Sequence, residues 1–230
     1  MRRLTQIATA LVASGVLLAG CATTGTTTSQ ATSVASSSAV TATTSTVASS
    51  TTVDWSSLPT TSVTLTNDGL AITEAGTYVL TGTSTGQVRV NTDGHVRIVL
   101  AGATIDSTVG AAIQVEGAEQ VVLELADGTT NTVSDAATRA DDEIDGAVYS
   151  SDDLVIVGSG TLNVTANFAD GIVGKDNLWI ESGTINVTSV DDGIRGKDSL
   201  TVSGGTITID AQGDGMKASN DTDLGKGQLT

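Results

Sequence analysis

From Asp170 onward the apolar residues fall two apart and then return after 22 residues. Leu178 and Ile180 are answered by Leu200 and Val202, Ile185 and Val187 by Ile207 and Ile209, and Ile172 by Ile194 and Met216. Spacing of two is that of a β-strand with one buried face. The segments are short and β-branched, and Gly or Asp-Gly separates them, so the pattern predicts three short strands per repeat. A unit this small cannot bury a core alone and must stack on its neighbours.

The run from Asp145 to Ala169 is the same unit stretched, with Leu154, Ile156, Leu162 and Val164 in the same inward columns. Further upstream, VVLELADGTTNTV predicts Val122 beneath Leu154 and Asn131 beneath Asn163, and VRIVLAGATI one more turn of chain. Between residue 60 and the end the pattern gives about seven coils of 22–26 residues. Stacked coils bond as parallel strands roughly 4.8 Å apart. The expected fold is therefore all-β, a right-handed parallel β-helix or solenoid. A β-sandwich also spaces its turns regularly, but it has no reason to repeat residue identities column by column. Leu229 falls in the column of Leu200 with no strand after it, so the chain reads as truncated at its C-terminus.

The ends divide the chain into three parts. Residues 1–20 carry Arg2-Arg3, an apolar run from Ile7 to Leu18 and small residues before Cys21, the marks of a signal peptide. Leu17-Leu18-Ala19-Gly20-Cys21 resembles a bacterial lipobox, which implies a lipid on Cys21 and anchoring to the membrane through that lipid. Cys21 is the one cysteine, so no intrachain disulfide can form. Residues 21–53 are Ser/Thr-rich and uncharged, too polar to form a core, and read as a disordered tether. The solenoid occupies residues 54–230, and the expected location is the cell surface.

Composition narrows the partners. A net charge of −16 excludes binding to nucleic acid or anionic lipid through charge. Aspartates clustered in turns invite divalent cations, calcium first among them. Five aromatics, Trp55, Tyr78, Tyr149, Phe168 and Trp179, are too few for a large aromatic platform. The lone His95 makes neither a triad nor a zinc site. No feature calls for more than a monomer.

Equivalent positions of successive coils lie above one another. Asp170, Asp192 and Asp214 should form one column, and Asp176 and Asp198 another. Two carboxylates about 5 Å apart repel by roughly 3 kcal/mol at an effective dielectric near 20. Lys175 and Lys197, in their own column alongside, could neutralise the second pair. Asx-turn hydrogen bonds could hold the first, and Ca²⁺ could bridge either. Further acids, Asp135, Asp141, Asp142, Glu143 and Asp145, fill an insertion after Val133, and Asn220, Asp221 and Asp223 another. Trp179 alternates with inward Leu178 and Ile180, so it points outward, either as a sugar platform or packed under a neighbouring segment. Asn131, Asn163 and Asn186 are expected as an outward asparagine ladder.

The stretch GTLNVTANFADGIVGKDNLWIESGTINVTSVDDGIRGKDSLTVSGGTITI, with its DGIxGKD-L repeat, resembles bacterial surface carbohydrate-binding proteins built on a polysaccharide-lyase-like right-handed parallel β-helix. The resemblance runs from about Gly69 to the end. It implies non-catalytic binding of polysaccharide, acidic uronic sugars included, with calcium in the fold. Lys175, Trp179, Arg195 and Lys197 are then the candidates for sugar contact, and Asp170, Asp192, Asp214, Asp176 and Asp198 for metal. Two alternatives stand beside this reading. A lyase of the pectate-lyase type would use Lys175, Lys197 or Arg195 as base, yet a base needs its pKa lowered and carboxylate neighbours raise it. A surface adhesin or rigid spacer would need no small ligand at all.

Overall fold

The inward columns repeat because each strand lies on the equivalent strand of the next repeat, in register. The computed structural model describes residues 53–230, so the signal peptide, Cys21 and the tether lie outside the described residues except at Val53. Strands form two sheets, every pairing parallel. One has 12 strands and the other seven, from Leu70–Ile72 to Met216–Ala218. Helix is confined to one 3-10 turn, Trp55–Ser57, among the described residues.

In the seven-stranded sheet one inward column runs Leu70, Val88, Ile113, Val148, Ile172, Ile194, Met216. In the larger sheet Val96, Val121, Leu154, Leu178, Leu200 and Leu229 stack likewise. Short of Leu229, which is half exposed, these columns and their neighbours fuse into one core. Each fully buried aliphatic side chain stabilises the fold by about 1.5–3 kcal/mol before entropy is counted.

Two registers differ from the sequence reading by one residue. Val121, not Val122, lies beneath Leu154, and Asn131 lies beneath Leu162 rather than Asn163. The cause is the turn between Leu125 and Thr130, two residues longer than its counterpart between Gly158 and Thr161, while the neighbouring long strand His95–Asp106 turns its own corner at Gly102, where φ is 84°. Its first half pairs with Gln120–Leu125 and its end with Thr130–Ser134. Asn131 is fully buried at that corner, where its Oδ1 accepts from Gly102 N at 2.8 Å and Ala103 N at 2.9 Å. It satisfies backbone donors that the bend leaves open. The asparagine ladder is thus a pair, Asn186 Nδ2 donating to Asn163 Oδ1 at 2.9 Å.

The glycines of the Asp170-Gly171 and Asp192-Gly193 steps are required by closeness, not by a left-handed φ. A Cβ on Gly171 would lie 2.3 Å from Val187 Cγ1 and 2.5 Å from Gly193 O; on Gly193 it would meet Gly215 O at 2.5 Å. Backbones of adjacent repeats touch there.

Candidate functional site

Residues that alternate with the inward column of the seven-stranded sheet face out. Arg89, Gln114, Tyr149, Val173, Arg195 and Lys217 stack in register along that face. At the N-terminal ends of the last three strands the Asp-Gly steps bring in Asp170, Asp192 and Asp214.

The aspartate column holds itself together across repeats. Asp192 N donates to Asp170 Oδ1 at 3.0 Å, and Asp214 N donates to Asp192 Oδ1 at 2.9 Å. In place of Asx turns the column forms this ladder, in which Asp170 and Asp192 each accept the next aspartate's own amide. Two cations meet the remaining charge. Arg195 Nε donates to Asp170 Oδ2 at 2.7 Å and its Nη2 pairs with Asp145. Lys217 pairs with Asp192 and lies 3.7 Å from Asp214.

Burial pushes the Asp170 carboxyl above its ordinary range, a shift Arg195 opposes without cancelling. Burial also works against the charge on Arg195, but Asp145 and Asp170 outweigh it and raise its pKa. The Lys217 ammonium is raised by its hydrogen bond to Asp192. Asp170, Asp191 and Asp192 each offer an oxygen within 4.8 Å of the others. With Asp145, Arg195 and Lys217 they line a cleft of about 220 Å³. Asp214 is exposed and outside that triplet.

Asp176 and Asp198 sit at a different corner. Asp198 is buried, accepting from Asn220 Nδ2 at 2.9 Å and from Lys226 Nζ at 2.5 Å. Burial alone would raise its pKa, but Lys226 and Asn220 bring it below the ordinary value. Exposed Asp176 is raised, by partial burial and then by Asp198, Asp153 and Asp152. Lys226 makes the ion pair at this corner, and the charge of Lys197 from the expected lysine column adds a smaller share. Lys175 places its ammonium 5.5 Å from the Tyr149 ring centroid and 3.6 Å from Asp145 Oδ1, while Lys197 is exposed.

Trp179 does point away from the core, as its alternation required, but it is no sugar platform in this structure. Only 5% of it is exposed, and it packs with Val122 and Val155 in an outer apolar cluster against which Trp55 and Val157 lie. A partner far upstream in sequence leaves no local signal.

Sequence reasoning passed over Asp191, Lys217 and Asp145 as members of the cleft. Lys217 was legible, since it stands under Arg195 in the repeat. Asp145 was not, because it reaches Arg195 and Lys175 from the end of an insertion.

With this geometry in view, comparison places the chain among known proteins. A family model described as carbohydrate-binding domain-containing protein matches residues 66–230. A carbohydrate-binding domain-containing protein of Acetivibrio thermocellus is 38% identical over 124 residues, 50% of this chain and 43% of the relative. The chain's match thus spans less than half the length of that relative. A solved polysaccharide lyase-like protein from C. thermocellum, a gadolinium derivative, superposes with a TM-score of 0.70 at 34% identity, over 74% of this chain and 78% of the other.

Proposed function

The chain belongs to the carbohydrate-binding domain family, and on that premise we propose that it binds an acidic, uronate-containing polysaccharide without cleaving it, at the Asp145–Arg195–Lys217 cleft. The observation that carries this reading is the stacking of Arg195 and Lys217 in register above carboxylates whose oxygens lie within 4.8 Å of one another. Arginine and lysine recognise sugar carboxylates, and Lys175, 3.6 Å from Asp145, adds a third cation beside the cleft.

Calcium fits the same cleft. Its preference is for six to eight oxygens in loose geometry, and Asp170, Asp191 and Asp192 supply hard oxygen donors, with Asp214 at the margin. Calcium and the two cations compete for Asp170 and Asp192. Loading the metal therefore frees Arg195 and Lys217 for the polymer, whose carboxylates complete the metal's shell. Asp176 and Asp198 belong to a second, lesser cation site at most, since Lys226 already occupies Asp198.

The lyase alternative is disfavoured by charge. A base must lose its proton near neutral pH, whereas the Asp145 and Asp170 carboxylates hold the Arg195 pKa up against the effect of burial. The architecture we attach to this function is a right-handed parallel β-helix of about seven coils. It acts as a monomer, held at the cell surface by a lipid on Cys21.

Calorimetric titration of the protein with polygalacturonate, in calcium and in EDTA, tests the reading while ultraviolet absorbance is followed for unsaturated product. Calcium-dependent binding with flat absorbance is the expected result. Growing absorbance makes the protein a lyase, and no heat in either condition removes the uronate reading.

A further inference from the structure

A larger cavity, about 460 Å³, lies on the same outward face but on the other side of the insertion that ends at Asp145. Its size is that of small-molecule sites. The floor is a connected polar network from two neighbouring strands and the turn before one of them. Gln87 Nε2 donates to Ala111 O at 2.9 Å and to Gln114 Oε1 at 3.2 Å. Gln114 Nε2 in turn donates to Glu116 Oε1 at 2.9 Å, which also accepts from Arg89 Nε at 2.8 Å. Gln114 is only 8% exposed, so the array is fixed before any ligand arrives.

The wall on the insertion side is Arg139, with a side chain 2% exposed. Its Nη2 pairs with Asp135 and donates to Gly146 O at 3.0 Å, and its guanidinium stacks 4.9 Å from the Phe168 centroid. Its Nε and Nη1 are buried with no acceptor. Buried donors in folded proteins are nearly always met by a partner, and the residue that carries these two lines the cavity.

Charge decides the class of ligand. Arg89 is paired with Glu116 and Arg139 with Asp135, and the remaining charged wall residue is Asp141. An anion finds no spare cation there and one free acid, without the clustered carboxylates that could hold a bridging cation in the Arg195–Lys217 cleft. Interleaved donors and acceptors, with Val109 and Ile144 as apolar wall, instead suit a ring that carries hydroxyls on its edge and C–H groups on its faces. We propose that this cavity is a second carbohydrate subsite, which takes an uncharged pyranose residue. A neighbouring cleft of about 400 Å³ shares Gln87, Arg89 and Val109, so an uncharged chain continues past this residue toward the first strands of the sheet.

The proposal rests on the carbohydrate-binding reading of the chain but not on uronate binding in the other cleft. The test is titration of the full chain with cellohexaose, xylohexaose and mannohexaose, and separately with polygalacturonate, at low and high salt. At least one hexaose binds, with an affinity that salt leaves unchanged because neither partner contributes net charge. Arg89→Ala and Gln87→Ala each weaken that hexaose by about tenfold, the effect of removing one hydrogen-bonding partner, and leave polygalacturonate unaffected. Lys217→Ala does the opposite. Absence of hexaose binding, hexaose binding that salt abolishes, or losses shared equally by both ligands would overturn the second subsite. Loss of polygalacturonate binding alone, with hexaose binding intact, sinks the uronate reading and leaves this one standing.

Discussion

Asp170, Asp192 and Asp214 stack at one corner of the repeat, and Asp176 and Asp198 at another, six residues on in each copy. In sequence the two columns are equivalent: conserved spacing, an adjacent glycine or lysine, the same acid. In the structure the first column is built from within, Asp170 and Asp192 each accepting an aspartate amide of the next repeat while Arg195 and Lys217 meet its outer oxygens. The second is closed from outside, by Asn220 and Lys226 folding onto Asp198, and Asp176 is left among like charges. Repetition fixes where a carboxylate stands. What it does depends on the neighbours that a turn or insertion supplies.

Truncating one aspartate at each corner separates the two columns most clearly. Asp192→Ala removes a buried carboxylate that serves both Asp214 N and Lys217, and should cost about 2–4 kcal/mol in urea unfolding. It should also abolish calcium-dependent polygalacturonate binding. Asp198→Ala, whose main cation partner is half-exposed, should cost about 1 kcal/mol and leave polygalacturonate binding in place. Equal losses would mean that the two corners are energetically the same.

The glycines sharpen that contrast next. Gly193→Ala drives a Cβ to 2.5 Å from Gly215 O and from Ile209 Cγ2, and should lower stability by about 1–3 kcal/mol. Gly215→Ala, one repeat later in the same column, meets nothing within 4 Å and should change stability by less than about 1 kcal/mol. Thermal unfolding of the pair checks whether close approach, and not the glycine itself, is what the column needs.

The smallest effect is in acid. The lowered pKa of Asp198 contributes stability that is present above its unfolded value, near 4, and lost as pH falls through the folded value. Asp170 is raised, so its contribution is present below the unfolded value and lost as pH rises through the folded one. Asp198→Asn should therefore flatten the fall in Tm on acidification below about pH 4. Asp170→Asn should instead remove a gain on acidification that begins above that pH. Identical Tm profiles for the two variants would refute the assigned directions.

Trp179 provides a separate check on the outer cluster. Trp55→Ala should redden the remaining tryptophan emission as the Val122, Val155 and Trp179 cluster meets water, with a stability cost of about 1–2 kcal/mol. Unshifted emission would show that Trp55 is not its cover.

Much of the fold was legible because parallel stacking forces each repeat to present the same residue at the same place. Ile172, Ile194 and Met216, or Leu178 and Leu200, could be aligned without any structure. Legibility failed where the spacing changed. Across the turn after Leu125, two residues longer than its counterpart after Gly158, a one-residue slip on either side placed Val122 outward and Asn131 inward, since a strand's faces alternate with every residue. At the site, Asp170, Asp192 and Arg195 were readable from the repeat. The cover over Trp179 and the reach of Asp145 were not, because each joins residues with no shared period.

The sequence by itself determined the short parallel strands, their inward columns and the corner where acids gather, for all of these follow from periodicity and backbone geometry. Only the tertiary structure decided which acid is paired, which tryptophan is covered and where a cavity opens, because insertions and termini fold onto the stack from outside its register and choose partners by contact.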